Sequence, residues 1–400
     1  MPLRSIAFLA YFFTSSAATL AVPMIGVMCY LVLYHVYPQT TWWGQRIEFL
    51  GIRYSFVCGV CLLIGCALNV TRLPFGRRFM HPIEWGILLM FLLMLLSTAT
   101  GTPWDARTEW VLDKISKVFV FIFLFTHVVV TRQYLWQITL LFAVLTLYLG
   151  YQAHGAPPSA FAQNRLNGIG GPDFRESAGL AIHLFALMPF VGILLRERSM
   201  WLKVLAFFAA CYGMNAIVLC RARSAFLAGI TAGLLAIVYI PRRHRRWLLT
   251  MLALAVVGGL ILADTWFWER MVTIFHSGEQ RDQSAASRFE VWAAAWELIR
   301  TNPLGVGIGH FEQQIGFYSE NPELRFRDAH NSFVLCAAEV GLAGLLVYVG
   351  TLAAAWLTLG SLARRVRREL ESDRLFEMLI FANRLALIVY LVGGMTTSRF

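Results

Sequence analysis

The chain has 400 residues, of which 58% are hydrophobic and only 14% charged, with a mean hydropathy of +0.62. A soluble domain is nearer half apolar and a quarter charged, so composition excludes an ordinary soluble fold. The formal net charge of +11 invites a nucleic-acid partner, but the basic residues fall in short connectors between apolar runs, the positive-inside pattern of membrane proteins, and no nucleic acid is expected.

Runs of about 20 apolar residues recur and predict membrane-spanning helices. A transmembrane β-barrel would alternate in short segments instead. The opening stretch 5–37 is too long for one ordinary span and is interrupted by Pro23, so it is either one long kinked helix or two short ones. Further spans fall near 52–70, 83–99, 115–131, 133–151, 177–195, 202–220, 223–240, 247–263, 331–358 and 379–396, eleven or twelve in all. The expected fold is therefore all-α, a polytopic helical membrane protein with one large, partly helical loop. Three parts follow: a transmembrane bundle over 1–263, the loop over 264–330, and C-terminal transmembrane helices over 331–400.

The seven cysteines lie in or at the ends of apolar runs and read as small buried hydrophobes. Cys58 and Cys61 form a C-x-x-C, but inside a predicted span and without a second pair. The first apolar run continues into a second with no small-residue cleavage site, so no cleavable signal peptide is expected. An even-numbered bundle would need one more helix after Phe400, which leads to the expectation that the sequence stops short.

Orientation follows from the basic clusters. Placing Arg242, Arg243, Arg245 and Arg246 in the cytoplasm also puts Arg72, Arg77, Arg78, Arg132, Arg196–Lys203 and Arg364–Arg374 there. Segments 100–114, 152–176, 221–223 and 264–330 then face outward. The last of these holds six arginines against ten acidic residues, which fits an external face.

Within that loop, Arg288–Ile299 has apolar residues at helical spacing, with Trp292 and Trp296 four apart on one face. The helix is expected to start at Ser284–Ser287, with Arg288 in its first turn, where a cation opposes the helix dipole and a bound anion would offset it. Thr301-Asn302-Pro303 breaks the helix, and Leu304–Gly309 follows as a flexible turn. That glycine-rich stretch lacks the Lys-Ser/Thr of a P-loop.

Arg223 opens a span at the outer interface. It either snorkels to headgroups or grips phosphate oxygens as a planar fork beside a helix N-terminus. Arg221 would project about 200° away on a continuous helix, so Arg223 is the stronger candidate of the two. Arg165 and Arg175 are weaker candidates, and Arg175 beside Glu176 reads first as a structural pair. His330, where the loop meets the next span, carries the side chain best suited to proton transfer near neutral pH, with Glu339 a few turns on. His276, His310 and His330 are too scattered for a metal site, so neither a metal nor another cofactor is expected.

Arg223-Ser224-Ala225, Ser287-Arg288-Phe289, Asn302-Pro303-Leu304-Gly305-Val306-Gly307, and His330-Asn331-Ser332 followed by Glu339-x-Gly341 and Gly344 together resemble the O-antigen ligase and polysaccharide polymerase family. The resemblance covers roughly 200–360 in motifs and the whole chain in topology. It implies a bacterial inner-membrane glycosyltransferase working on the periplasmic side, with membrane lipids around it. Such an enzyme moves a glycan from an undecaprenyl-pyrophosphate carrier to an acceptor hydroxyl, in the ligase branch that of the lipid A core. It further implies that Arg223 and Arg288 engage the donor pyrophosphate and that His330 is the essential histidine, in metal-independent, inverting chemistry. A polymerase or a protein O-oligosaccharyltransferase of the same family shares these motifs. A lipid-linked glycan transporter would need charges near the middle of the bilayer, where these spans have almost none.

Overall fold

The computed structural model describes residues 1–74, 80–275, 283–321, 324–369 and 373–398, with the backbone alone at 275, 283–286 and 369. Arg77, Arg78 and His276 lie outside them. Fifteen helices occur among the described residues, joined by short 3₁₀ turns and one two-stranded hairpin. They are α1 (Leu3–Ala21), α2 (Pro23–Val36), α3 (Tyr54–Leu68), α4 (Pro82–Thr100), α5 (Ala106–Val128), α6 (Arg132–His154), α7 (Ser177–Leu194), α8 (Met200–Cys220), α9 (Arg223–Tyr239), α10 (Arg245–Leu262), α11 (Thr265–Val272), α12 (Gln283–Thr301), α13 (Phe311–Gln314), α14 (Ser332–Glu369) and α15 (Arg374–Gly394). The fold is an all-α, multi-pass membrane protein. Eight of the helices are long and apolar enough to cross a bilayer, while α3 and α9 are shorter apolar helices.

The opening stretch is two helices. Val22 is extended, and Pro23, which lacks an N–H and has a fixed φ, starts α2 at its first position. Other starts are capped by side chains. His81 and Glu84 form a reciprocal box at α4, Thr131 caps α6, and Asp373 accepts from Leu375 and Phe376 at α15. Five cysteines are buried, as small hydrophobes should be, but Cys61 is half-buried and Cys211 is exposed on α8.

The chain divides into two compact units. The first comprises Met1–Phe79, Val120–Ala222 and Leu235–Phe267. In it α6, α7 and α8 pack on one another, and α1, α2 and α3 form a second set. The core of that second set is Phe8, Phe12, Leu33, Trp43, Ile47 and Tyr54.

The second unit comprises Met80–Phe119, Arg223–Leu234 and Trp268–Phe400. Here α14 packs along α4, α12 and α15. The buried face of α12 is Val291, Ala294, Ala295, Leu298 and Ile299, an i, i+3, i+4, i+7, i+8 stripe. Trp292 packs beside this stripe, but Trp296 is 66% exposed, so the two tryptophans do not share a buried face.

The central feature of this unit is a break in α14. Gly341 has φ 83° and ψ 176°, which interrupts the helix and frees backbone groups on both sides. The segment Pro303–Gly307 fills the gap. Leu342 N–H donates to the Pro303 carbonyl at 3.1 Å, Val306 N–H to Ala338 at 2.9 Å, and Gly307 N–H to Glu339 at 3.1 Å. Ser97 of α4 donates its hydroxyl to the same Glu339 carbonyl. The Glu339 carboxylate is buried and accepts from Phe311 N–H at 3.2 Å. Residues 305–310 are all buried, and Gly305, Gly307 and Gly309 have φ of 88°, 91° and 79°. The turn expected to be flexible is thus a docked element, and its glycines supply conformations that other residues resist.

A methyl group at Gly341 would lie 2.5 Å from the Pro303 oxygen. Gly341→Ala should destabilise the protein by about 3 kcal/mol or more, from left-handed strain and overlap together. Gly350→Ala, further along α14 where a methyl meets nothing within 4 Å, should be neutral or stabilising by up to ~1 kcal/mol. Denaturant unfolding in detergent, comparing the two variants with wild type, checks both.

Candidate functional site

Arg221 and Arg223 flank the turn between α8 and α9. Arg221 closes α8 in a left-handed conformation (φ 46°), Ala222 is extended, and Arg223 is the first residue of α9. The Arg221 side chain is 9% exposed. It donates to the Asn164 carbonyl and forms an ion pair with Asp264. Asn164 belongs to the tight turn of the hairpin that pairs Phe161–Ala162 with Arg165–Leu166. Both turn residues, Gln163 and Asn164, have positive φ, as a type I′ turn requires. Asp264 also caps α11 by accepting from Phe267 N–H at 2.8 Å. Arg221 therefore ties a loop to a helix start.

Arg223 is half-buried, and its Nη1 donates to Thr273 Oγ1 at 2.9 Å. That hydroxyl donates in turn to the Arg270 carbonyl at 2.8 Å. Arg165 donates to Gln163 Oε1 at 3.1 Å within the hairpin. Arg175 and Glu176 are both exposed, and among the described residues they make no ion pair. The expected pairing fails because the chain turns into α7 between them, where Glu176 is extended.

Arg288 is half-buried in α12. The helix begins at Gln283, ahead of the expected start at Ser284–Ser287, so Arg288 lies in the second turn. The dipole argument for an anion there weakens accordingly, because that field fades beyond the first turn.

His330 sits at the head of α14 with φ 47°. Asn331 follows as the cap, its Oδ1 accepting from Phe333 N–H at 2.9 Å and Val334 N–H at 3.2 Å. Ser332 is buried and donates to the Thr397 carbonyl at 2.8 Å. Before the histidine, the Trp292 indole donates to the Ala329 carbonyl at 2.8 Å. These contacts hold a backbone conformation that costs a non-glycine residue about 1–3 kcal/mol. The imidazole is 44% exposed, and its Nδ1 lies 3.5 Å from Asp328 Oδ2. That exceeds a good hydrogen bond, so the two groups are neighbours without a direct bond between these atoms.

Two residues take roles the sequence did not suggest. Glu339 serves the docked turn and not His330. His310 is fully buried, with Nε2 3.3 Å from Thr108 Oγ1 and 3.7 Å from Asp105 Oδ2. Hydrogen bonds from Thr108 N–H and Gln313 hold the Asp105 carboxyl well below the usual range. Its stabilising effect is complete above about pH 4 and is lost only as pH falls through that depressed value. Asp328 and Thr273 are the partners that only spatial proximity reveals, since neither has a distinctive spacing.

Arg223, Arg288 and His330 all belong to the second unit, while Arg165, Arg175 and Arg221 belong to the first. A family model described as O-antigen ligase matches residues 207–349. Over these residues, about a third of the chain, the protein is similar to the O-antigen ligase family. Among curated proteins, none matches the chain. The matched stretch contains Arg221, Arg223, Arg288, His330, Glu339 and the whole docked turn, and leaves Arg165 and Arg175 outside.

Arg221→Ala should cost about 2 kcal/mol of stability, less than a fully buried pair would because Asp264 is 42% exposed. Removing Asp264 as well should add little, giving a coupling of about 1 kcal/mol in a double-mutant cycle. Unfolding of the four proteins in one detergent measures it.

Proposed function

We propose that the protein is a membrane glycosyltransferase of the O-antigen ligase type. It transfers a glycan from an undecaprenyl-pyrophosphate carrier to an acceptor hydroxyl, that of the lipid A core in the ligase branch, on the periplasmic side of the bacterial inner membrane. The observation that carries this reading is the family match over 207–349 together with Arg223, Arg288 and His330 in one compact unit.

In this reading Arg223 and Arg288 neutralise the pyrophosphate, which makes the lipid carrier a competent leaving group. His330 takes the proton of the acceptor hydroxyl as its oxygen attacks the anomeric carbon. The new glycosidic C–O bond forms as the bond from that carbon to the pyrophosphate breaks, with inversion. The carrier leaves as lipid pyrophosphate and the proton remains on the imidazole, where Asp328 favours it. Arg223 exchanges its Thr273 contact for phosphate oxygens. The capped, tied head of α14 supports this role, because a base must be held within hydrogen-bond reach of the hydroxyl it serves.

His330→Ala should lower transfer by ~10²–10⁴-fold while donor binding persists. Arg223→Ala should first weaken donor binding, by about tenfold or more. Parallel transfer assays and binding titrations with lipid-linked glycan separate the two. A folded His330→Ala protein that transfers at the wild-type rate would remove the base from the mechanism.

Arg288→Lys should be poorly tolerated, since lysine keeps the charge but loses the planar fork. Transfer at the wild-type rate by this variant would show that Arg288 does not grip phosphate through two nitrogens.

A further inference from the structure

Beside α13 the second unit carries a hollow of about 230 Å³ lined by Gln313, Gly316, Phe317, Ser319, Glu320 and Arg325. Its walls are firmly held. Asn302 donates to the Tyr318 hydroxyl at 2.8 Å, and Arg107 pairs with Glu312 at 2.8 Å. Gln313 Nε2 donates to Asp105 at 3.0 Å, and Phe326 N–H donates to the Glu312 carbonyl at 2.9 Å. Phe311 and Ile315 are fully buried, yet Phe317 is 72% exposed. This phenyl ring is presented on a polar loop, where burying it would be worth about 2 kcal/mol.

Among the described residues, the rest of the lining is polar and charge-balanced: one carboxylate, one guanidinium, one amide and one hydroxyl. A phosphate would call for excess cations, and a lipid chain for apolar walls. A hydroxyl-rich, uncharged ring satisfies both kinds of surface. Its C–H face packs on the phenyl ring, while its hydroxyls donate to Glu320 and accept from Arg325. Gly316 makes the floor possible, because a methyl there would lie 3.0–3.2 Å from Cα, Cβ and Cγ of Arg325. The volume is below the ~300–1,000 Å³ of drug-sized sites and suits one sugar ring.

We propose that this hollow is a glycan subsite, in which Phe317 is the stacking platform and Glu320 and Arg325 hold the hydroxyls. The proposal rests on the reading of the protein as a glycan transferase. The sugar belongs either to the donor glycan or to the acceptor oligosaccharide, and the arms of the test tell them apart.

The test uses the full chain in lipid nanodiscs. Phe317→Ala should raise the KM for one substrate about five- to tenfold, the worth of one aromatic stacking contact, with kcat at saturation unchanged. Phe317→Tyr should restore it. A shift in the donor KM assigns the hollow to the donor glycan, and a shift in the acceptor KM to the acceptor. Trp296→Ala, which removes another exposed aromatic ring, should change neither. In parallel, binding of oligosaccharide released from the host lipopolysaccharide by mild acid is titrated against wild type and Phe317→Ala. That titration needs no turnover, so it tests the subsite even if transfer itself fails, and loss of binding in the variant supports the proposal. Unchanged KM values and unchanged binding in Phe317→Ala overturn the subsite while leaving the transferase reading intact. Quenching of a Phe317→Trp reporter by brominated lipid would make the ring a membrane anchor and also overturn it.

Discussion

The second unit depends on a helix that is broken where a helix should not be. A gap in α14 leaves carbonyl and amide groups without intrahelical partners, and in apolar surroundings each such group costs several kcal/mol. Pro303–Gly307 answers the gap group for group, and Ser97 adds a hydroxyl from α4. Because the filling segment comes from the large loop, the loop cannot detach without exposing the break. The same constraint accounts for Gly305 and Gly341, where backbone passes backbone too closely for a side chain. It also accounts for a buried acid, since Glu339 closes the turn through Phe311 N–H.

From this frame the head of α14 inherits its rigidity. His330 is bounded by Ala329, locked by the Trp292 indole, and by Asn331, committed to capping the helix. In the proposed mechanism the imidazole must keep its direction while substrates come and go, and on an unsupported loop it would not. The two arginines at the α8–α9 turn divide the work differently. Arg221 is held by Asp264 and Asn164, while Arg223 donates to the Thr273 hydroxyl.

Much of the fold is legible in the sequence because its signals are local. Apolar run length gives the helices, and Pro23 marks a division, although sequence alone does not decide between a kink and a break. Where structure and sequence differ, a distant partner decides. Leu304–Gly309 looks flexible because glycines permit many conformations, and only its distant partner, the break at Gly341, selects one. Trp292 and Trp296 have helical spacing, but burial is decided by which face α14 covers. Arg288 moves into the second turn because the helix already begins at Gln283. Arg223, Arg288 and His330 stand out by residue type and position, whereas Asp328 and Thr273 become visible only once the chain is folded.

A transferase and a transporter of the same lipid differ in whether the bond from sugar to pyrophosphate is broken. Purified protein reconstituted into vesicles, supplied with undecaprenyl-pyrophosphate-linked glycan and candidate acceptors, should yield glycosylated acceptor and free lipid pyrophosphate in equal amounts, with the opposite anomeric configuration to the donor. Movement of intact lipid-linked glycan across the bilayer with no glycosidic bond formed would contradict the transferase reading.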